Sequence, residues 1–205
     1  MNYLSISMAK YSKILITGLG RSGTTAVASI IKNIGYFLGE EVSHASLEDF
    51  YLRRLLASGE IDSVRTELYR RCEKHDLVAY KDPKLFGLHG QKLLSKITND
   101  WLYIFVIRDV LSISRRNVKS IGVELDAALL NATHSQLKLI NFYKKVKLSN
   151  PTYIVSFEQL NSIEEFLKEF TSFLGFDMST QQLDDLRVSV GIDKGRYLSI
   201  ANIKI

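Results

Sequence analysis

Residues 13–25 read Lys-Ile-Leu-Ile-Thr-Gly-Leu-Gly-Arg-Ser-Gly-Thr-Thr, and this stretch decides the fold. Its apolar start is typical of a strand in a parallel sheet that is covered by helices on both faces. The following turn contains three glycines, Gly18, Gly20 and Gly23. Glycines let the backbone turn tightly with its N–H groups exposed, and the helix predicted to begin at Thr24 and Thr25 directs its positive end into that turn. The stretch therefore predicts a phosphate-binding loop.

The spacing of this loop is close to that of the nucleotide P-loop. Gly18 and Gly23 have four residues between them, but Thr24 stands where the P-loop has lysine. In nucleoside triphosphatases that lysine contacts the β and γ phosphates. Arg21, inside the loop, supplies a cation instead, and a plain turn between strand and helix requires neither this arginine nor two hydroxyls at the helix start.

Outside the loop, apolar strand-like runs alternate with amphipathic segments of helical spacing. Strands are predicted at 13–17, 36–38, 77–80, 101–107 and 152–157. Helices are predicted after the loop up to Gly35, within 46–74 with a break near Gly59, and at 87–97, 110–119, 124–147 and from a cap at Asn161 to Leu174. This order predicts an α/β fold: one three-layer, P-loop-like domain over residues 1–205, with a central parallel β-sheet and helices on both faces.

Composition narrows the class of protein. A chain of 205 residues with 46% hydrophobic content is long enough for one buried core. The single cysteine, Cys72, excludes an internal disulfide framework and fits a reducing compartment. We find neither the apolar core of a signal peptide nor a run long enough to span a bilayer, so the expectation is a soluble, cytoplasmic protein. The net charge of +5 could attract nucleic acid, an anionic membrane or a small polyanion. The cations are scattered along the chain, so the charge alone does not distinguish among these partners.

Charged residues follow two of the predicted strands directly. Lys81-Asp82-Pro83-Lys84 comes after the strand at 77–80, and Arg108-Asp109 comes after the strand at 101–107. In open α/β sheets, ligands bind at the carboxyl ends of the strands. These residues are therefore candidates for a ligand site beside the glycine loop.

Two segments resemble sulfotransferases that use 3′-phosphoadenosine 5′-phosphosulfate (PAPS). The stretch Gly20-Arg21-Ser22-Gly23-Thr24-Thr25 is similar to their 5′-phosphosulfate loop, and Tyr80 to Leu85 is similar to a Lys-Asp-Pro-Arg segment of bacterial sulfotransferase-like sequences. The resemblance extends from Lys13 to about Arg196. It implies transfer of a sulfuryl group from PAPS to an acceptor hydroxyl, of a glycan or other saccharide rather than a peptide. It implies no metal and no nucleic-acid partner.

The resemblance also implies a donor site. Its residues are Gly20, Arg21, Ser22, Gly23, Thr24 and Thr25 for the 5′-phosphosulfate, and Arg108 for the 3′-phosphate. The family places a serine about two turns beyond this arginine, where the sequence has Arg116, so Ser112 and Ser114 are alternatives for that contact. Lys194-Gly195-Arg196 resembles a basic loop that closes over the 3′-phosphate, although a solvated basic tail is an equal alternative.

Catalytic roles follow from the same resemblance. Arg21 would neutralise charge on the bridging oxygen, and Lys81 is a further catalytic candidate. Glu41 is the first choice for the base, because Gly39-Glu40-Glu41 resembles the segment of tyrosylprotein sulfotransferases that carries their glutamate. Asp82 and His44 are the alternatives. The helical region 46–74 would border the acceptor cleft, where Arg53, Arg54, Arg70 and Arg71 are candidate contacts.

Two other functions stay open. A kinase-like phosphotransferase would use the same loop with ATP and Mg²⁺, and the missing P-loop lysine argues against it. A non-enzymatic protein that binds a nucleotide or nucleic acid would account for the positive charge. The sequence leaves the acceptor and the oligomeric state open.

Overall fold

The computed structural model describes residues 9–190, apart from the side chain of Asn161, and its centre is a parallel sheet. The strands are β1 (Lys13–Gly18), β2 (Val78–Lys81), β3 (Leu102–Ile107) and β4 (Thr152–Ser156). Their spatial order is β2-β1-β3-β4, and every neighbouring pair is parallel. β1, β2 and β3 are almost wholly buried, as expected for strands covered on both faces.

Helices connect the strands, because parallel strands need crossovers. The described chain contains eight α-helices: α1 (Thr24–Asn33), α2 (Phe50–Ser58), α3 (Ile61–Lys74), α4 (Leu88–Leu94), α5 (Val110–Ile121), α6 (Leu125–Val146), α7 (Ile163–Phe173) and α8 (Thr180–Val190). A 3₁₀ helix, Phe157–Ser162, links β4 to α7. None of the helices in this part of the chain has the length and apolar character needed to cross a membrane.

The helices form two layers, one on each face of the sheet. Ile14 and Ile16 of β1 pack into a core with α1, α7 and α8. Leu15, between them in sequence, packs into a second core with residues of α2, α3, α4, α5 and α6. This second core also contains Trp101, which is fully buried at the start of β3. The predicted α/β, three-layer, P-loop-like architecture is confirmed.

The strand order places the candidate site. From β1 the chain crosses to β2 on one side, and β3 lies on the other side of β1. The carboxyl ends of β1 and β3 therefore flank the point where the strand order reverses, which is where open α/β sheets bind ligands. The glycine loop follows β1 and Arg108 follows β3, so both are delivered to this point.

Three local predictions need correction. The strand predicted at 36–38 is a single bridge between Phe37 and Val78, since the chain turns away at Gly39, where φ is 142°. The helix predicted to be capped by Asn161 begins at Ile163, because a capping box between Ser156 and Gln159 starts the 3₁₀ helix earlier.

On α6 the predicted core positions are partly shifted. Helical spacing predicts a core side formed by Leu125, Ala128, Leu129, Ala132, Leu139, Ile140 and Tyr143. Ile140 is instead 42% exposed, and Phe142 is buried. Phe142 contacts the rings of Tyr103 and Phe105, so its large ring, rather than the smaller Ile140, determines which side of the helix faces the sheet.

Candidate functional site

The glycine loop between β1 and α1 is held in one conformation by close packing. A Cβ atom at Gly18 would lie 2.4 Å from the carbonyl oxygen of Val106 on β3, so only glycine fits there. Gly23 has a φ of 100°, and a Cβ there would lie 2.3 Å from the ring of Phe157. Arg21 also adopts a positive φ, 71°, which costs free energy in a residue other than glycine. Such strain is common at ligand sites.

The N-terminus of α1 is open toward this loop. Its N-cap residue is Gly23, no side chain caps it, and its first turn carries no acidic residue. The first N–H groups of a helix have no partner within the helix and attract anions. Ser22 is fully buried, and its Oγ has no hydrogen-bond partner within the described residues. The loop and helix start are thus chemically suited to hold a phosphate.

Arg108 lies directly against the loop. Its Nη1 donates a hydrogen bond to the carbonyl oxygen of Arg21 at 3.2 Å, and its guanidinium lies 4.0 Å from the centroid of the Phe157 ring. The residue is only 5% exposed, and its buried Nε has no hydrogen-bond partner in the described part of the chain. Burial lowers the pKa of Arg108, and the charge of Arg116 lowers it further, opposed by Glu158 and Asp109. Two guanidinium groups whose charges act on each other favour an anion between or beside them.

The two candidate serines on α5 have different environments. Ser114 is buried, and its Oγ donates to the Val110 carbonyl oxygen at 2.7 Å, so its proton is used within the helix. Ser112 lies in the first turn and is half-buried, and its N–H donates to the Asp109 carboxylate at 2.8 Å. Asp109 caps α5 through this bond, which fixes the direction in which the helix leaves β3.

Lys81, at the end of β2, is brought to the start of α1. Its Nζ lies 3.4 Å from Thr25 Oγ1, 2.5 Å from the Ser46 carbonyl oxygen and 3.2 Å from the Glu48 carboxylate. Thr25 in turn donates to the same Ser46 carbonyl at 3.2 Å. Burial lowers the pKa of Lys81, and the negative charge of Glu48 opposes this effect. The segment that carries Ser46 and Glu48 therefore forms one wall of the phosphate loop.

Asp82, the next residue, is a buried carboxylate. It is 2% exposed, accepts a hydrogen bond from the Tyr80 hydroxyl at 3.0 Å and accepts another from the Lys84 N–H at 2.7 Å. Burial raises the pKa of Asp82, and these two hydrogen bonds oppose the rise without cancelling it. A carboxyl with a raised pKa that borders a cleft is a candidate for proton transfer.

Asp82 borders a cleft of about 280 Å³ between α2 and the segment that leads into α4. The cleft is lined by Arg53, Leu56, Ala57, Asp82, Lys84, Gly87, Leu88 and His89. His89 Nδ1 lies 2.7 Å from the Leu56 carbonyl oxygen, which can only accept, so Nδ1 carries the proton. Neither His89 nor Glu48 is predicted as a site residue from the sequence, since both lie in polar segments where spacing gives no signal.

The remaining candidates differ in exposure and in their partners. The Glu41 side chain is 65% exposed, and the ion pair it makes, with Arg54, is long at 3.9 Å. His44 is exposed in the following turn. Of the four arginines expected beside the acceptor, Arg53 lines the cleft, whereas Arg71 is buried and paired with Asp49 and Glu67. Lys194, Gly195 and Arg196 lie outside the described residues.

The sheet order and the glycine loop define a P-loop-like α/β fold. Among solved structures, this is the fold of sulfotransferases. The chain is 15% identical to mouse sulfotransferase SULT7A1 complexed with PAP, with a TM-score of 0.54 over 92% of this chain and 69% of the mouse chain. It is 13% identical to the sulfotransferase domain of the olefin synthase of Synechococcus PCC 7002, with a TM-score of 0.60 over 94% and 88% of the two chains.

Sulfotransferase STF1 of Mycobacterium tuberculosis H37Rv is also similar, with 13% identity and a TM-score of 0.57 over 96% of this chain and 78% of that one. No protein-family model matches the chain, and no curated protein matches it in sequence. The resemblance to sulfotransferases that the sequence suggested is therefore confirmed at the level of the fold.

Proposed function

We propose that this protein is a sulfotransferase that moves a sulfuryl group from PAPS to an acceptor hydroxyl. The observation that carries the proposal is the contact between Arg108 and the glycine loop, through the Arg21 carbonyl oxygen at 3.2 Å. It places a buried cation beside a phosphate cradle, as a nucleotide with separate 3′ and 5′ anionic groups requires. The PAP bound to the mouse sulfotransferase of the same fold supports this donor.

The chain offers groups that fit both ends of the donor. The uncapped start of α1, the loop N–H groups and the hydroxyls of Ser22 and Thr24 suit the 5′-phosphosulfate. The Thr25 hydroxyl, which donates to the Ser46 carbonyl oxygen, lies beside Lys81 at the same helix start. Arg108 suits the 3′-phosphate, because its buried Nε has no hydrogen-bond partner within the described residues. Ser112 or Ser114, Arg116 and the segment Lys194-Gly195-Arg196 are proposed to complete that end of the site.

The reaction needs one base and a cationic environment. The acceptor oxygen bonds to sulfur, the bond from sulfur to the bridging oxygen breaks, and its electron pair leaves with adenosine 3′,5′-bisphosphate. The acceptor proton passes to a carboxylate. Arg21 and Lys81 are proposed to stabilise the charge that develops on the bridging oxygen, since Lys81 Nζ lies beside Thr25 of the loop.

We propose Asp82 as the carboxylate that receives the proton, with Glu41 as the alternative. Asp82 borders the cleft, and burial raises its pKa toward the range useful for a base near neutral pH. Glu41 is the alternative base because its segment resembles that of tyrosylprotein sulfotransferases, although its side chain is largely exposed. His44 is the third choice.

The acceptor is proposed to enter the cleft beside Asp82. A volume of about 280 Å³ is at the lower end of the range of small-molecule sites, so the cleft suits a small acceptor or one unit of a larger one. A saccharide hydroxyl remains the first acceptor class to assay. The cytoplasmic location expected from the single cysteine also stays a prediction.

Calorimetric titration tests the donor site. We expect adenosine 3′,5′-bisphosphate to bind more tightly than AMP or than ATP with Mg²⁺, because only the bisphosphate has a 3′ group for Arg108. The variant R108A should abolish this preference, costing about 1.5–3 kcal/mol of binding free energy. R187A, which removes an arginine on α8, is the matched control and should bind like the wild type.

A preference for ATP with Mg²⁺ would favour the kinase-like phosphotransferase instead. Tight binding of the bisphosphate without transfer of sulfuryl groups to any acceptor would favour a non-enzymatic nucleotide-binding protein.

A further inference from the structure

The outer face of α6 is basic and apolar at once, and the donor and cleft residues are not part of it. We define the α6 outer face by the exposed side chains of Leu130, Leu137, Lys138, Ile140, Lys144, Lys147 and Leu148. The leucines are prominent, with exposures of 58% for Leu130, 56% for Leu137 and 84% for Leu148. Isolated exposed leucines are common on proteins, but a row of them along one helix and the turn that follows it calls for an explanation.

These side chains form a line along the helix. Leu130, Leu137 and Lys144 are spaced by seven residues, close to two helical turns, so they project from the same side. Lys147 and Leu148 lie in the turn just after the end of α6. The opposite side of α6 is buried through Ala132, Leu139, Phe142 and Val146. From Leu130 to Lys144 the line is about 21 Å long at 1.5 Å per residue.

Asp126 lies in the first turn of α6, one turn before Leu130, and from residue 127 onward the charge has one sign. Residues 127–157 contain four lysines and no aspartate or glutamate. Lys145 donates to Gln91 and Lys147 lies 5.4 Å from the ring centroid of Tyr143. Within residues 9–190, none of these lysines forms an ion pair, whereas Arg53, Arg70, Arg71 and Lys96 on the same face of the sheet all do. The α6 outer face therefore keeps its positive charge available for a partner.

We propose that the α6 outer face docks the protein on a membrane surface that contains anionic lipids. A row of leucines flanked by lysines is the pattern of surfaces that lie in the lipid headgroup region, where apolar side chains enter the boundary and cations contact anionic headgroups. A second copy of this chain does not fit, since two such faces would repel each other. Nucleic acid would pair with the lysines but offers nothing apolar to Leu137 and Leu148.

Sedimentation with lipid vesicles tests the proposal and does not depend on the proposed enzymatic activity. We expect the full chain to bind vesicles of phosphatidylserine and phosphatidylcholine, and to bind pure phosphatidylcholine weakly or not at all. Each lysine near an anionic surface contributes roughly fivefold in partitioning, and each added carboxylate is repelled by that surface. The variant K144E/K147E should therefore bind at least about 25-fold more weakly. L137Q/L148Q should also bind the anionic vesicles several-fold more weakly, although its charge is unchanged.

The matched control is K32E/K168E, which changes the net charge by the same amount on α1 and α7, in the opposite helical layer. We expect it to bind vesicles like the wild type, and circular dichroism should give the same helix content for all three variants. An equal loss in the control would mean that net charge alone drives binding, and would overturn the proposal. So would the absence of wild-type binding at low salt, or unchanged binding by L137Q/L148Q together with equal binding to an oligonucleotide.

Discussion

Asp82 is almost fully buried and yet borders a surface cleft. Its carboxyl is 2% exposed, yet it borders the cleft proposed for the acceptor. Its two hydrogen bonds, from the Tyr80 hydroxyl and the Lys84 N–H, hold its orientation, and each oxygen still has a lone pair for another donor. A carboxylate held in this way can accept a proton without first rearranging.

Turnover of two variants distinguishes the candidate bases. We expect D82N to lower the rate of sulfuryl transfer from PAPS by about a hundredfold or more, because a positioned base contributes about 10²–10⁴-fold. E41Q should retain turnover within about tenfold of the wild type, since the Glu41 side chain is 65% exposed. Both variants should bind adenosine 3′,5′-bisphosphate normally, which shows that the donor site is intact. If E41Q is inactive and D82N is active, Glu41 is the base.

The pH dependence of stability tests the pKa of Asp82 directly. Burial raises this pKa in the folded state, so between the unfolded-state value, about 3.9, and the folded value the folded protein binds more protons than the unfolded chain. The stabilisation is thus complete below pH 3.9 or so and is lost as the pH rises through the folded value.

We therefore expect the free energy of unfolding of the wild type, relative to D82N, to fall as the pH rises through this window. Urea denaturation at a series of pH values measures this fall. It amounts to about 1.4 kcal/mol for each pH unit by which the pKa of Asp82 in the folded protein exceeds its pKa in the unfolded chain. A difference that rises with pH would mean that the pKa of Asp82 is lowered by its hydrogen bonds.

Site residues at strand ends and in the glycine loop could be predicted from the sequence, whereas site residues on other segments could not. Lys81 and Arg108 were predicted because they follow apolar strands, and the carboxyl ends of parallel strands share one edge. Arg21 was predicted because it supplies a cation inside the glycine loop. Glu48 and His89 reach the same region through tertiary contacts, Glu48 with Lys81 and His89 with the Leu56 carbonyl oxygen. No local sequence pattern predicts such contacts.

Among the elements, β1 packs closely against β3 where it leads into the glycine loop. A Cβ at Gly18 would lie 2.4 Å from the Val106 carbonyl oxygen, and a backbone atom of β3 cannot move aside cheaply. Gly20, two residues later, has no atom within 4 Å of the position of a Cβ. The two glycines therefore provide a matched pair in one loop.

We expect G18A to lower the free energy of unfolding by about 1–3 kcal/mol, because the added methyl group forces β1 and β3 apart. G20A should change it by no more than about 0.5 kcal/mol. Urea denaturation of both variants measures the difference. Equal effects of the two substitutions would contradict the packing of β1 on β3 at this position.

The long apolar runs gave the strands reliably, because parallel strands buried on both faces are apolar at nearly every residue. The short run at 36–38 was predicted as a strand on the same grounds, but the chain turns at Gly39 after one bridge. The side of α6 that faces the core depends on which large ring fits between the strands and the helix. Tertiary packing therefore determines which side of α6 faces the core, and the helical period of the sequence predicts it only in part.

At the scale of the whole molecule, the candidate site and the α6 outer face are separate features of one sheet architecture. The site lies where the carboxyl ends of β1, β2 and β3 meet, and the α6 outer face is the solvent side of one helical layer. An acceptor carried by a membrane would then be available to a protein docked through α6. The vesicle experiment and the donor titration address these two features independently, since neither set of variants includes residues of the other.

Trp101 gives this architecture an optical reporter. It is the single tryptophan of the 205 residues, and it is fully buried at the start of β3 among the residues of the second core. Its intrinsic fluorescence therefore comes from one place, at the amino end of a central strand and at the opposite edge of the sheet from the glycine loop. A red shift of the emission reports the exposure of that core, so fluorescence separates loss of the sheet from changes confined to the ligand site.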